Sequence, residues 1–423
     1  MKDVVRRNLV SAMLLSLTLA LSGPCLARGK EPEASKRSPI SAPNADARSG
    51  LPRQSASAEA RLLEIYRLIG HGQAENALSK AEALTKDIPN FQLAQLVYGD
   101  LLMSRTQALP TMGNVPSALA GKARDRLTQL RLEAERRLSA LRERPPEGAM
   151  PAQFVALPST TRHAIAVDAS RSRLYLFENG SDGLKLVADH YASIGKLGPE
   201  KSFEGDQRTP LGVYYITSRL SSSQLTDFYG AGALPLNYPN EYDRRLGRTG
   251  SGIWLHGVPK DSYARSPEST DGCVALANPE LQSILDRVQP RTTPVVIARS
   301  LEWVPSTKLE PHRRSVQNML EGWRVARASG DISRVMSFYS PQFSSGSRDL
   351  TRWRQNVEQE IAQLRGKTVE LKDLAVLAWR DKSDILVVTF GEVATGQRSG
   401  SVRRQYWGKE GGLWKIFYEG VIG

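Results

Sequence analysis

Ile253-Trp254-Leu255-His256-Gly257, followed after a loop by Ser269-Thr270-Asp271-Gly272-Cys273-Val274-Ala275-Leu276, is the stretch on which the reading of this chain turns. A histidine that ends one strand and a cysteine that enters another can meet in space although 17 positions separate them. Imidazole can accept the thiol proton, and the resulting ion pair lowers the thiol pKa and favours the thiolate, which is the nucleophile. Gly272 permits a sharp turn and lets backbone N–H groups approach a developing oxyanion. A Cys/His pair also suits a metal, but one cysteine and one histidine are half a tetrahedral set. His71, His163, His190 and His312 show no ligand spacing, so no metal is expected.

Around this stretch the hydrophobic period is two, as in Ala164-Ile165-Ala166-Val167 and Arg173-Leu174-Tyr175-Leu176-Phe177. Further strands are expected at Leu186–Ala192, Gly212–Thr217, Gly252–Leu255 and Pro294–Ala298, with a helix at Pro279–Val288. Residues 152–304 therefore read as a β-rich catalytic domain, a sandwich or partial barrel that carries its site on loops. Upstream, apolar residues recur at helical spacing in three short segments. A fourth helix, Ser117 to Arg144, stops at Arg144-Pro145-Pro146-Glu147-Gly148, giving an all-α module over 59–147. Dimerisation or docking is its expected role, with a homodimer as the partner state. Downstream the pattern changes at Pro305 to Pro311. Helices are expected at Val316–Ser329, Ser333–Tyr339 and Leu350–Leu364, then strands at Val369–Trp379, Asp384–Val393, Arg398–Trp407 and Leu413–Gly420. Helices first and strands afterwards make an α+β domain over 312–423, with Trp323, Tyr339, Trp353 and Trp379 as its core. This order resembles the small cone-shaped domains related to nuclear transport factor and SnoaL-type proteins.

At the N-terminus Lys2, Arg6 and Arg7 precede an apolar run from Leu9 to Leu21 and a cleavage site after Ala27, so 1–27 reads as a secretory signal peptide and the destination as the periplasm. Pro24 stands where a lipobox before Cys25 would need a small residue. Residues 28–58 lack aliphatic clusters and read as a disordered tether. After cleavage Cys273 is the one remaining cysteine, without a disulfide partner. A length of 423 residues exceeds a single core and gives a multidomain chain. The composition excludes collagen, a disulfide scaffold and a polytopic membrane protein. The net charge of +13 sits on the two flanks in no long basic run, the central segment being neutral, so no nucleic-acid partner is expected.

The His-Gly at a strand end and the Ser/Thr-X-Gly-Cys that follows resemble the signature of the YkuD-type L,D-transpeptidase family. The likeness extends from Arg162 to Ala298 through Ile165-Ala166-Val167-Asp168, Ile194-Gly195, Arg208-Thr209-Pro210-Leu211-Gly212-Val213-Tyr214 and Leu234-Pro235-Leu236-Asn237-Tyr238-Pro239-Asn240. The resemblance implies that Cys273 attacks the third-residue carbonyl of a peptidoglycan tetrapeptide stem, with His256 as general base and the Gly272 and Cys273 N–H groups as oxyanion donors. A thioester forms and passes to an amine of a second stem or to water, with no cofactor. Two departures stand out. Asp271 replaces a common histidine and could orient His256 or be a solvated turn residue. Ala275 replaces a common Arg or Asn, which leaves Arg244, Arg245 and Arg248 as candidates to bind a stem carboxylate. Tyr238, Trp254, Gly257, Ser269 and Thr270 complete the candidate substrate contacts, and Tyr263 could wall the cleft. The three-part layout is similar to the cell-shape-determining L,D-carboxypeptidases of helical bacteria. Crosslinking leads the readings, followed by trimming of tetrapeptide to tripeptide or release of a wall-linked lipoprotein, and then by an inactive wall-binding scaffold.

Overall fold

A computed structural model of the chain describes residues 57–113, 120–364, 367–380 and 383–422. The expected signal peptide and nearly all of the expected tether lie outside these residues.

The central domain is two stacked sheets. One has five strands in the order Gly183–Tyr191, Arg173–Gly180, His163–Asp168, Pro294–Ala298, Gly212–Tyr215, with a single parallel pair, His163–Asp168 beside Pro294–Ala298. The other has four, in the order Val274–Ala275, Trp254–His256, Gly232–Pro235, Leu220–Ser221. The alternation in the sequence decides which side chain goes where. Ile165, Val167, Leu174, Leu176, Val295 and Ile297 pack between the two sheets, against Leu234, Leu255, Val274 and the helix Asn278–Leu285.

The intervening residues, Ala164, Ala166, Tyr175, Phe177, Val213, Tyr215 and Val296, point to the opposite face, and that face is covered too. It packs on Leu377, Trp379, Ile385, Val387, Tyr406 and Phe417 of the C-terminal sheet. The five-stranded sheet is thus apolar on both sides because it separates two cores. Trp379, expected inside the cone, belongs to this shared layer because it sits on the outward-facing register of its strand.

The C-terminal sheet is antiparallel, in the order Phe154–Ala156, Val369–Arg380, Asp384–Ala394, Ser401–Glu410, Leu413–Val421. Its concave face holds Trp323, Trp353 and Tyr339, together with Val316, Leu320 and Val357 from the helices Ser306–Ser329 and Leu350–Leu364. Two expectations are corrected here. Phe154–Ala156, placed in the central domain by sequence, is an edge strand of the C-terminal sheet. The helix expected from Val316, after the change of pattern at Pro305 to Pro311, already begins at Ser306 and runs through Pro311. Pro311 cannot donate to the Thr307 carbonyl and its ring crowds that group, yet the helix continues through it, with Leu309 and Val316 buried on either side.

The N-terminal module consists of helices Ala58–Gly70, Ala74–Asp87, Gln92–Met103 and Ala120–Arg142. Its core of Leu62, Ile65, Ala77, Leu84, Leu93 and Val97 also takes in Tyr263 and Ala277 of the central domain. Beneath this contact lies a buried ionic cluster. Arg137, 1% exposed, binds Glu59 at 2.8 Å and Glu133 at 2.9 Å, and Arg173 of the central sheet binds the same Glu59 at 2.8 Å and Asp189 at 2.6 Å. The Arg137 guanidinium lies 3.9 Å from the Tyr191 ring centroid. The module therefore docks on the catalytic domain of its own chain.

Candidate active site

The ladder between Trp254–His256 and Val274–Ala275 is parallel and sets Leu255 beside Val274 and His256 beside Ala275. Leu255 and Val274 face the core. By alternation His256 and Cys273 lie on the other side of the sheet, two positions apart along adjacent strands. The turn before Cys273 depends on Gly272, whose φ is +126° and whose Cβ, if present, would stand 2.7 Å from the Arg208 carbonyl oxygen. Gly257 is equally constrained, since a Cβ there would meet Asn278 Oδ1 at 2.1 Å. Asn278 ties this region together: its Oδ1 accepts from Ala231 N–H at 2.9 Å and Val258 N–H at 3.1 Å, and its Nδ2 donates to the Val258 carbonyl at 2.8 Å. The sequence reading did not single out Asn278, because nothing about an asparagine at a helix start advertises such a role.

His256 is buried, with Nδ1–H donating to the Gly257 carbonyl at 2.6 Å. That bond fixes the tautomer and leaves Nε2 to take a proton. Phe228 stacks on the imidazole at 5.9 Å and Tyr229 meets it edge-on at 5.2 Å. Burial pushes the imidazole down to about 4, against the pull of the Gly257 carbonyl. The Cys273 thiol donates to the Gly252 carbonyl at 3.3 Å and accepts from Trp254 N–H at 3.4 Å. Burial raises its pKa, while the Trp254 N–H and Arg265 act in the opposite direction. Both shifts run toward the neutral forms, a thiol and an imidazole, and burial is the first cause of each.

The remaining candidates divide clearly. Asp271 is exposed and engaged by Lys196 at 2.8 Å and Gln207 at 3.1 Å, so it does not orient His256; the Gly257 carbonyl does. Gly272 N–H is occupied by Thr270 Oγ1 at 3.1 Å, and that hydroxyl donates to the Cys273 carbonyl at 2.7 Å. Thr270 therefore braces the turn, and Cys273 N–H is the backbone donor left open beside the sulfur. Ser269 is tied to Ser193 and to the Ser266 carbonyl. Tyr238 is buried against Tyr214 with its hydroxyl on the Thr249 carbonyl at 3.0 Å, and Tyr263 is buried against Phe91, so both are core rather than cleft. Trp254 is half-buried and packs on Tyr229 at 4.9 Å. Among the arginines, Arg244 pairs with Glu241, Arg245 binds Gln342, and Arg248 pairs with buried Asp243 at 2.9 Å.

One residue was missed. Arg265, in the loop between the two motif halves, places its guanidinium 4.4 Å from the Phe228 ring centroid. It is close enough to Cys273 and Asp271 to interact electrostatically with both. Only its position between histidine and cysteine could have flagged it.

The chain matches the family model of the L,D-transpeptidase catalytic domain, YkuD, over residues 162–297. Residues 162–297 are a YkuD-type catalytic domain. The model of the Cds6 C-terminal NTF2-like domain matches residues 315–420. Among solved structures, Bd1075 of Bdellovibrio bacteriovorus is similar at 26% identity and a TM-score of 0.55, covering 64% of this chain and 98% of that one. The helical cell shape determining protein Pgp2 of Campylobacter jejuni shares the fold at 19% identity and a TM-score of 0.50, covering 67% of this chain and 97% of that one. No curated protein matches the chain. The YkuD domain match supports a peptidoglycan-modifying enzyme.

Proposed function

We propose that the chain is an exported, periplasmic enzyme that opens the L-to-D peptide bond of tetrapeptide stems through a thioester on Cys273, with water as the acceptor. The observation that carries the chemistry is the placement of Cys273 and His256 on one side of a parallel ladder, with His256 Nε2 and Cys273 N–H both unengaged. The thiol adds to the third-residue carbonyl while Nε2 takes its proton, and the oxyanion settles on Cys273 N–H. Collapse breaks the C–N bond, and the departing D-alanine amine takes the proton from His256. Water then attacks the thioester with His256 again as base, giving the tripeptide carboxylate and restoring the thiol.

Transfer to a second stem would use the same acyl-enzyme, and the sequence alone puts it first. The turn beside the sulfur favours hydrolysis instead. An acceptor stem brings an amine that is cationic in water, and Asp271, the carboxylate of that turn, is already bound by Lys196 and Gln207. The three-part layout, similar to that of the cell-shape-determining L,D-carboxypeptidases, agrees with a trimming role.

The test incubates the mature protein and its Cys273→Ala variant with disaccharide-tetrapeptide and follows the products by mass spectrometry. Monomeric tripeptide and free D-alanine, absent with the variant, are expected. Dimers joined between two diaminopimelate residues would replace hydrolysis with crosslinking, and full turnover by the variant would remove the thioester mechanism.

A further inference from the structure

We propose that Arg265 is the specificity residue of this site and binds the free C-terminal carboxylate of the stem, the one carried by the departing D-amino acid. The inference rests on the hydrolytic reading above and deepens it.

Arg265 lies on the loop that joins His256 to Cys273, and the rest of that loop is tied down from outside. Tyr263 N–H donates to the Asn90 carbonyl at 3.2 Å, and Asn90 Nδ2 donates to the Lys260 carbonyl at 3.0 Å. Ser266 is held by Arg126 at 3.3 Å and Gln129 at 3.2 Å, and Tyr191 donates to the Arg265 carbonyl at 2.9 Å. The backbone under Arg265 is therefore held from both sides. The guanidinium lies over Phe228, and Phe228 stacks on His256, forming a column of arginine, phenylalanine and imidazole.

What the column lacks is an anion. The Arg265 side chain is half-buried and makes no hydrogen bond or ion pair with any described residue. Its charge is already partly desolvated, which disfavours the charged form. Asp271, the nearest carboxylate to act on it, is turned to Lys196 and Gln207. A partly desolvated guanidinium with all its donors unused is a receptor for a carboxylate, and its planar fork suits a bidentate one.

The position selects which carboxylate. Arg265 lies 4.4 Å from the Phe228 ring centroid and Phe228 stacks on His256 at 5.9 Å, so an anion held by Arg265 lies on the histidine side of the site, beside the group that takes the thiol proton. In a tetrapeptide stem the carboxylate nearest the scissile bond is that of the terminal residue, separated from the scissile nitrogen by one carbon. Binding it there makes the enzyme exo-acting: a stem that ends in a free carboxylate one residue beyond the bond is cut, and a stem that is amidated or extended by a further residue is not. Arg244, Arg245 and Arg248, which the sequence offered for a stem carboxylate, are committed to Glu241, Gln342 and Asp243.

The experiment compares wild type, Arg265→Gln and Arg265→Lys on two substrates, disaccharide-tetrapeptide with a free carboxylate and the same compound as its C-terminal amide. Wild type is expected to favour the acid over the amide by roughly 10- to 100-fold in kcat/KM, the range of a hydrogen bond to a charged group. Arg265→Gln loses that factor on the acid and little on the amide, while Arg265→Lys falls between. An independent reading that needs no turnover is the ratio of Cys273 alkylation rates by iodoacetate and iodoacetamide, which should fall several-fold in Arg265→Gln. A change in thiol pKa cancels in this ratio, and an unchanged melting curve shows that the fold is kept. Equal cleavage of acid and amide by wild type, or an equal loss on both in the variant, overturns the assignment while leaving the thioester chemistry standing. Failure of wild type to release D-alanine from either compound, with an alkylation ratio that still responds to Arg265→Gln, overturns the hydrolytic reading alone.

Discussion

Replacing Arg137 with methionine tests whether the helical module is held by the buried ionic cluster. Methionine keeps most of the volume but none of the charge. Glu59 retains Arg173 at 2.8 Å, whereas Glu133, 2% exposed, loses its ion-pair partner at 2.9 Å. Leaving one member of a buried pair uncompensated costs about 3–5 kcal/mol. The cation–π contact with Tyr191 at 3.9 Å is lost as well. The strain is local, so the assay is amide hydrogen exchange read by mass spectrometry over Ala58–Gly70 and Ala120–Arg142. Their protection should fall by roughly a hundredfold or more, while the five-stranded central sheet changes little. Burial holds the Glu133 carboxyl above its ordinary range even with Arg137 beside it. A raised carboxyl pKa contributes stability at acid pH that disappears as pH rises through it, so the defect should be smallest in acid and grow toward neutrality. The double variant Glu133→Leu with Arg137→Met should recover most of the protection. A loss below about 1 kcal/mol in the single variant, or no recovery in the double, would refute the reasoning.

Two further outcomes follow from the same structure. With the Cys273 thiol raised and His256 pushed down to about 4, both by burial, alkylation of the free enzyme by iodoacetamide should climb steadily through pH 8. A plateau between about pH 5 and 7 would show a resting thiolate–imidazolium pair instead. Glu280 is fully buried and pushed up to about 7, so its stabilising share is present below the ordinary carboxyl value of 4.5 and lost as pH rises through 7. Glu280→Gln should therefore be more stable than wild type at pH 8, by up to ~3 kcal/mol, with the advantage fading in acid, as followed by urea unfolding. An advantage that does not depend on pH would refute this.

Much of the fold was legible because alternation is a strong signal. Ile165, Val167, Leu174 and Leu176 announce a buried face, and the strands Pro294–Ala298 and the helix Leu350–Leu364 fall where the sequence puts them. What the sequence hid were contacts made at long range. A three-residue strand such as Phe154–Ala156 has too few positions to reveal a period, and its partner Val369–Arg380 lies in another domain. Cys273 and His256 could be singled out as candidates because the glycines beside them mark the motif. Their burial could not, since it depends on Phe228, Tyr229 and other neighbours brought in by the fold. Arginines near the motifs drew attention by proximity, yet Arg244, Arg245 and Arg248 are structural and Arg265 stands apart.

The edge strand Phe154–Ala156 has a consequence for how this architecture is made and altered. Its partners Val376 and Leu377 belong to the last domain, so Phe154–Ala156 waits with an open edge through much of translation. The C-terminal domain expressed alone from Ser306 would lack its first strand, and the enzyme cut before that point would expose Tyr175, Phe177 and Tyr215 to water. Neither half is a cassette that can be moved between enzymes at the boundary a sequence match suggests. A graft that keeps the function has to carry both ends of the chain with it.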